Sequence, residues 1–240
     1  MAVTNSIAKK PTSKDSQLVS FQVGGATVEL SPQIVRDYLV SGNKERVTMQ
    51  ELVMFINLCK FHRLNPWLKE AYCIKYGNEP ATIVTGKEAF EKRAESHEQH
   101  DGHKAGVITV DEEGHVDYQL GSFHLPGTEI VGGWAEVWRK DHKESTRIEV
   151  SFEEYAARKA DGSLNAQWSK KPGTMIRKVA LVQALREAFP QTFGGMYDAA
   201  EMGVDDSVID VTPIEVTDQQ TGSTTGEVIG DADPAAVLFN

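Results

Sequence analysis

The sequence predicts an α+β fold in which antiparallel β-hairpins pack with helices in a single domain. Strand-like runs come in pairs joined by short turns, which favours antiparallel pairing. Helical segments with recognisable start and stop signals lie between these pairs. The chain has 240 residues and 40% hydrophobic residues, enough for one substantial core.

The predicted strands alternate apolar and polar residues or are rich in β-branched side chains. Each pair is separated by glycine, asparagine or charged residues that are typical of turns. Gly132-Gly133 lies inside a strand, which indicates a bulge or a close approach of another backbone. Trp134 and Trp138 share one face of that strand and are predicted core residues. The strand pairs are 17–23 with 26–30, 70–76 with 81–85, 104–110 with 115–120, and 130–139 with 145–150.

The predicted helices begin at residues that can cap the first turn. Ser31 precedes a proline, and both Thr48 and Ser151 are followed three residues later by glutamate, the pattern of a capping box. The residue before a proline avoids helical backbone angles, so Asn65-Pro66 ends the helix that Thr48 opens. The predicted helices span residues 32–40, 49–64, 87–98, 152–158, 172–189 and 198–202.

The ends of the chain differ in composition from its middle. Residues 1–16 are polar, and we expect them to be disordered. From Glu201 onward there are nine acidic residues and no lysine or arginine, so the net charge of −10 falls to −1 for the first 200 residues. We therefore expect residues 203–240 to form a disordered acidic tail, either solubilising or acting as a docking peptide or a screen over a basic groove.

One segment, Trp168 to Phe189, combines apolar residues with cations. Pro172 fits the first position of a helix and Pro190 cannot continue it. Lys178 and Arg186 project from the apolar part of the helix, and Arg177 from among its alanines. A cation among apolar neighbours costs several kcal/mol, roughly, unless an anion meets it. That anion is either a carboxylate of the same protein or a phosphate from outside, and Trp168 beside Lys170 and Lys171 could offer a stacking surface.

This segment, WSKKPGTMIRKVALVQALREAF, is followed by GGMYD, and an earlier stretch reads LNPWLKEAY and then ATIVTGKEAFEKRA. Together they resemble the RecT/Redβ (Bet) family of phage single-strand annealing recombinases. The resemblance runs from about Ser31 to Met202 and makes residues 17–202 a DNA-annealing domain. It implies a bacteriophage protein of homologous recombination that binds single-stranded DNA and anneals complementary strands without ATP in the cytoplasm of the bacterial host.

The resemblance also carries expectations about partners and cofactors. It implies a homo-oligomer, either a ring or a helical filament, that holds single-stranded DNA and the annealed duplex intermediate. A phage 5′–3′ exonuclease and the host single-strand-binding protein are the expected partners. No cofactor is expected to be required, with Mg²⁺ at most a modulator, and no membrane contact is expected.

The family pattern also implies DNA-binding positions. Cations that contact the DNA backbone in the family match Lys44, Lys69, Lys140, Arg158 and Arg186. Lys170 and Lys171 lie in the corresponding neighbourhood, whereas Gly173 and Val179 stand where some relatives have a cation. The full predicted DNA-binding set is Lys44, Lys69, Lys140, Arg158, Lys159, Trp168, Lys170, Lys171, Arg177, Lys178 and Arg186.

Other chemistry is weakly indicated. His97, His100 and His103 are metal-ligand types, but they straddle a predicted helix end and a loop. Cys59 and Cys73 show no metal spacing and are predicted to be reduced core residues. No GxSxG motif and no nucleotide-binding GxxxxGK[ST] motif occur, so we predict no catalytic centre. A metal-dependent nuclease and a passive protector of single strands remain the alternatives.

Overall fold

A computed structural model describes residues 17–204. The chain begins with the hairpin of β1 (Val19–Val23) and β2 (Ala26–Leu30). A short helix follows, α1 (Pro32–Ile34), capped by Ser31, whose hydroxyl accepts a hydrogen bond from the backbone N–H of Ile34 at 3.2 Å. It continues as one π-helical turn, Val35–Leu39, and leads into β3 (Val40–Gly42).

A second layer follows a 3-10 turn at Lys44–Arg46. Thr48 and Glu51 form the predicted capping box at the start of α2 (Met49–His62). A 3-10 turn, Pro66–Leu68, then leads into β4 (Ala71–Lys75), which pairs with β5 (Thr82–Thr85) in the predicted hairpin. Strand β3 pairs with β4 in parallel and completes a three-stranded sheet, and α3 (Lys87–Glu95) follows β5.

The largest sheet has four antiparallel strands in the order β7, β6, β8, β9. Their bounds are β6 (His100–Val110), β7 (Val116–Leu120), β8 (Glu129–Arg139) and β9 (Thr146–Ser151). A register irregularity between Ile108 and Thr109 lies opposite the Gly132-Gly133 segment. Trp134 is buried and Trp138 half-buried on the same face of β8, as the alternation of the strand predicts.

Four helices follow the sheet: α4 (Phe152–Tyr155), α5 (Ala166–Lys170), α6 (Pro172–Ala188) and α7 (Pro190–Phe193). Helix α6 packs on β6, β8 and β9 and is the centre of the core, with ten of its 17 residues buried. A Cβ atom on Gly133 would lie 2.6 Å from the carbonyl oxygen of Ile176. This confirms the close backbone approach that two adjacent glycines in a strand indicate.

The α+β fold with antiparallel hairpins is confirmed, but three local predictions are wrong. The Ser151 side chain makes no capping hydrogen bond, and α4 ends at Tyr155 instead of Arg158. Residues 198–202 form turns and not a helix. The short parallel strand β3 occupies the predicted end of the first helix. The predicted disordered segment 1–16 and all of the tail except residues 203 and 204 lie outside the described residues.

No helix within residues 17–204 is both long enough and apolar enough to cross a bilayer.

Candidate nucleic-acid interface

Two aromatic rings are exposed side by side on the layer formed by β3–β5. Tyr38 lies in the π-helical turn and Trp67 in the 3-10 turn, with side chains about half exposed (50% and 49%). Their ring centroids are 6.4 Å apart and their planes tilted by 49°. The Asn65 side chain accepts a hydrogen bond from the Trp67 backbone N–H at 3.0 Å, which fixes the turn. The pair offers flat apolar surface on which bases can stack.

The buried carboxylate of Glu70 holds this turn in place. Glu70 is only 7% exposed. Its carboxylate accepts a hydrogen bond from the Asn65 backbone N–H at 2.7 Å and forms an ion pair with Lys92 at 2.7 Å. Lys69, at the end of the turn, has the left-handed φ of 61° that reverses the chain into β4. The rigid turn therefore presents Trp67 outward on a supported loop.

Lysines flank the aromatic pair. The Lys44 ammonium donates to the carbonyl oxygen of Asp37 at 3.0 Å, which places Lys44 next to Tyr38. Lys69 follows Trp67 by two residues and is exposed. Aromatic surface between cations is the combination that binds single-stranded nucleic acid without reading its sequence. We call Tyr38, Trp67, Lys44 and Lys69 the aromatic–lysine surface.

A cavity of about 270 Å³ adjoins this surface. A Cβ atom on Gly86 would lie 2.6 Å from the carbonyl oxygen of Lys69, so a glycine is needed where the Lys69 turn meets the cavity. Two cations, Lys87 and Lys178, and two carboxylates, Glu88 and the buried Asp198, line the opening. The lining residues include Tyr72, Thr85, Gly86, Lys87, Lys178 and Asp198. The cavity therefore lies between the middle of α6, which carries Lys178, and Gly86, whose backbone approaches that of Lys69.

Lys178 in this cavity meets an internal carboxylate. Its ammonium lies 2.9 Å from a carboxylate oxygen of Asp198, whose side chain is 1% exposed. The same oxygen of Asp198 accepts a hydrogen bond from the backbone N–H of Ala200 at 2.9 Å. A buried charge held in this way is compensated within the protein. Of the two anions considered from the sequence, a carboxylate of the same protein and an external phosphate, the carboxylate is the one that contacts Lys178.

Arg186 is compensated in the same way. Its guanidinium forms two hydrogen bonds with the carboxylate of Glu201, at 2.6 and 3.0 Å, and lies over the Tyr197 ring at 4.7 Å. Burial favours the neutral form, but hydrogen bonding and charge attraction from Glu201 outweigh it, so the pKa of Arg186 is raised. The hypothesis that phosphate supplies the anion for Lys178 and Arg186 is therefore corrected: Asp198 and Glu201 supply it.

The prediction for Trp168 is also wrong. The side chain is fully buried (0% exposed) and packs edge-on against Phe152, with ring centroids 5.4 Å apart. Asn165 caps α5 by accepting a hydrogen bond from the Trp168 backbone N–H at 3.0 Å, which turns the indole into the core. A ring in this position has no face on which a base could stack.

The remaining predicted cations lie at several places. Arg177 donates to the carbonyl oxygen of Ala105 on β6 at 3.1 Å, and Lys140 to that of Glu98 at 3.0 Å. Arg158 forms an exposed ion pair with Glu153 at 2.7 Å. Exposed Lys159 lies beyond α4, and exposed Lys170 ends α5. Exposed Lys171 directly precedes α6, about 20 Å from Arg186 along the helix.

The three predicted histidines do not converge on a common point. His97 packs on Phe189 with ring centroids 4.4 Å apart, whereas ring nitrogens of His100 and His103 lie 3.4 Å from each other. A different trio does converge: ligand atoms of Asp111, Glu113 and His115 lie within 4.8 Å of one another. These residues belong to an exposed turn, where the carboxylate of Asp111 already accepts hydrogen bonds from backbone N–H groups of Glu113 and His115.

An α+β scaffold with exposed rings among lysines has the features of a polyanion-binding protein. The residues 28–214 match the RecT family, so the chain belongs to this family and the predicted RecT/Redβ resemblance is confirmed. Membership implies phage-type recombination by single-strand annealing, with single-stranded DNA binding and oligomerisation. Proteins of this family are annealing proteins and not classical enzymes. No curated protein matches the sequence.

Proposed function

We propose that this protein binds single-stranded DNA and anneals complementary strands without ATP, for homologous recombination. The observation that supports this most is the aromatic–lysine surface: an exposed Tyr38–Trp67 pair, with centroids 6.4 Å apart, flanked by Lys44 and Lys69. Rings bind the faces of bases and ammonium groups bind phosphates, so a strand can be held without contacts to its base-pairing edges.

Annealing follows from this mode of binding. A strand held by its phosphates and by some base faces keeps its hydrogen-bonding edges available to a second strand. The second strand adds a like charge, which the lysines offset and which salt in solution screens. The free energy of duplex formation then drives the step, so neither nucleotide hydrolysis nor a catalytic group is needed.

We assign the interface to the exposed cations of the aromatic–lysine surface, Lys44 and Lys69. Lys87 lines the adjoining cavity and forms an ion pair with Glu91 at 2.8 Å. Lys178 and Arg186 are paired with Asp198 and Glu201 and have a structural role. Lys140, Arg158, Lys159, Lys170 and Lys171 are exposed cations that would meet a longer strand or its neighbouring protomer. Arg177, hydrogen-bonded to β6, is assigned a structural role.

The wider setting of the reaction is proposed from the family. We place the protein in the cytoplasm of the bacterial host, where a phage 5′–3′ exonuclease would expose single strands and the host single-strand-binding protein would compete for them. No cofactor is needed in this scheme. Mg²⁺ would act on the phosphates of the DNA, by screening their charge.

Two complementary labelled oligonucleotides without ATP test the proposal. We expect the protein to bind each strand and to accelerate duplex formation over the spontaneous rate. Binding combined with slower renaturation would instead identify a passive protector. Shortened strands after incubation with Mg²⁺ or Mn²⁺ would identify a nuclease, and a control with EDTA separates that activity from contamination by metal-independent nucleases.

A further inference from the structure

The outer face of α2 is apolar and exposed. Val53 and Met54 are adjacent, and Phe61 follows them by eight and seven residues, or about two helical turns. The three residues therefore lie on one side of the helix. Phe61 is 79% exposed, and Val53 and Met54 are each more than two-fifths exposed. The buried face of the same helix carries Leu52, Phe55, Ile56 and Cys59, so the exposed apolar residues are not needed for the core. We call Val53, Met54 and Phe61 the α2 face.

A second apolar surface lies at the edge of the four-stranded sheet. Val116, Tyr118 and Leu120 alternate along β7 and point to one side, and Phe123 and Leu125 follow in the next loop. All five side chains are more than two-fifths exposed. Helix α6 packs against the opposite side of the sheet, where its backbone meets Gly133. We call these five residues the β7 face.

Strand β7 is also one of the two edge strands of its sheet among the described residues, the other being β9. An edge strand with apolar neighbours is a surface that proteins otherwise blunt with charges or cover with another element. Monomeric proteins rarely expose contiguous apolar patches of this kind, and such patches commonly mark contacts with other proteins. Both faces therefore have the character of docking surfaces.

The charges around the two faces are opposite. Residues 52–68, which contain the α2 face, include Lys60 and Arg63 and no acidic residue. Residues 111–131, which contain the β7 face, include five acidic residues and no lysine or arginine. Arg147 of β9 lies over the Tyr118 ring, but it forms an ion pair with Glu149 at 2.9 Å, so this pair adds no net charge. Opposite charges around apolar centres steer two surfaces together and fix their register. The acidic residues are Asp111, Glu112, Glu113, Asp117 and Glu129.

We propose that the α2 face of one protomer docks on the β7 face of a second copy of this chain. The occupant is a second copy because both complementary surfaces belong to the same chain, and this inference rests on the oligomerisation implied by the family. The two faces are different surfaces, so the contact is head-to-tail and leaves one face open at each end. Such a contact propagates into a filament or closes into a ring.

Reversing the charges one side at a time tests this pairing. The first variant carries Lys60→Glu and Arg63→Glu, and the second carries Glu112→Lys and Glu129→Lys. Each variant alone would bring like charges together at every contact. Sedimentation is measured for the protein alone and with a single-stranded oligonucleotide. We expect the parent to form oligomers in at least one of these conditions, and each variant to sediment as a monomer in both.

Mixing the two variants gives the sharper result. The acidic α2 face of the first variant meets the basic β7 face of the second, and the two unaltered faces also meet, so every contact is again attractive. We expect the equimolar mixture to recover oligomers of the parent size. Monomers in the mixture, or a parent that is monomeric in every buffer, would overturn the proposal.

An apolar pair of variants guards against effects of charge alone. Phe61→Ser removes the α2 contact and Leu120→Ser the β7 contact, and far-UV circular dichroism checks that each is folded. In a head-to-tail contact, a mixture of the two retains one intact contact between unlike protomers, so heterodimers are the largest species. A mixture that stays monomeric would argue against the pairing of these two faces.

DNA binding is measured separately, by fluorescence anisotropy with a short oligonucleotide. Monomeric charge variants that bind it within a few-fold of the parent affinity support both proposals. Suppose that the parent assembles and that mixing the two variants restores oligomers, but that the parent does not bind the oligonucleotide. This result would overturn the proposed function and leave the assembly contact standing. Variants that stay oligomeric but lose the oligonucleotide would assign Lys60 and Arg63 to DNA and overturn the contact.

Discussion

Two short stretches of this protein look alike in sequence and differ in the structure. Trp67-Leu68-Lys69 and Trp168-Ser169-Lys170 each place a lysine two residues after a tryptophan. Trp67 is half exposed beside Tyr38, whereas Trp168 is fully buried against Phe152. Asparagine caps both turns, Asn65 in the first and Asn165 in the second. The local capping is therefore the same, and the surrounding layers decide which ring faces solvent.

The cations near the two stretches differ in a parallel way. Lys178 and Arg186, on the core helix, meet the nearly buried carboxylates of Asp198 and Glu201. Lys44, beside Tyr38, contacts only a backbone oxygen among the hydrogen bonds described, that of Asp37. A cation embedded in apolar surroundings thus stabilises the fold, and the cations suited to DNA are those on the exposed surface.

Replacing each tryptophan by alanine separates the two regions most strongly. Trp168→Ala removes a fully buried ring and should lower the free energy of unfolding by about 3–5 kcal/mol. Trp67→Ala should change it by no more than about 1 kcal/mol, because half of its surface already meets water. Urea denaturation of both variants measures the difference, and equal losses would contradict the assignment of Trp67 to the surface.

Arg186→Ala should also act on stability. It leaves the Glu201 carboxylate, 5% exposed, without its partner, and breaking a buried pair costs about 3–5 kcal/mol. Arg158→Ala is the matched control, because its pair with Glu153 is exposed and worth about 0–1 kcal/mol. Thermal melts compare the two, and a stable Arg186→Ala that loses only DNA affinity would return Arg186 to the interface.

A third internal pair predicts how stability depends on pH. Burial favours the neutral carboxyl of Glu51, but hydrogen bonds from Lys75 and the backbone N–H groups of Thr48 and Ala81 lower its pKa from 4.5 to about 2. The folded state therefore binds the proton less readily than the unfolded state. The resulting stability is present above pH 4.5 and is lost as the pH falls towards 2.

Urea denaturation across this pH range, for the parent and for Glu51→Gln, checks the assignment. The variant should be less stable at neutral pH and lose less stability on acidification. We expect a smaller effect than that of Arg186→Ala, because the single amide oxygen still accepts a hydrogen bond from either Ala81 or Thr48, which donate to different carboxylate oxygens in the parent. Parallel pH curves for the two proteins would show that Glu51 does not carry this dependence.

For DNA, Trp67→Ala should weaken binding of a single-stranded oligonucleotide by about 1–3 kcal/mol, or roughly 5- to 150-fold. Trp67→Phe, which keeps an aromatic face, should retain most of the affinity. Fluorescence anisotropy at fixed salt measures both. If Trp67→Ala binds as tightly as the parent, the aromatic–lysine surface is not where bases stack.

The smallest expected effect concerns salt. Lys69→Ala removes one phosphate contact, so the slope of log affinity against log salt should become less steep by about 0.7 for a single strand. Glu45→Ala, at an exposed position near Lys44, serves as a control that should leave the slope nearly unchanged. An unaltered slope for Lys69→Ala would exclude a phosphate contact at this lysine.

The sequence predicted much of the fold because its signals are local. Alternation in strands, the Thr48–Glu51 capping box and the prolines around α6 each depend on a few neighbouring residues. Strand β3 was missed because three residues that pair in parallel with a distant strand carry no local pattern. Ser151 has the extended backbone that N-cap residues adopt, yet its side chain makes no capping hydrogen bond, and no local pattern separates it from Thr48.

The site was less predictable than the fold. Asp198 and Glu201 lie beyond α6 in sequence, and only the tertiary fold brings them back to Lys178 and Arg186. Tyr38 and Lys87 were not predicted, because nothing near them in sequence indicates a partner. Trp67 carried a usable signal, since Asn65-Pro66 predicts a turn and turns are usually exposed. The resemblance supplied Lys44, whereas Lys69 is indicated both by the resemblance and by its place two residues after Trp67.

The contact between Gly133 and Ile176 has a consequence for how the protein can move. Because a Cβ atom on residue 133 would lie only 2.6 Å from the carbonyl oxygen of Ile176, α6 approaches β8 more closely than a residue with a side chain would permit. Sliding or tilting α6 would drive its main chain into that of β8. We therefore expect α6 and the sheet to move as one rigid unit. Any conformational change on binding of a DNA strand would then occur in the surrounding loops.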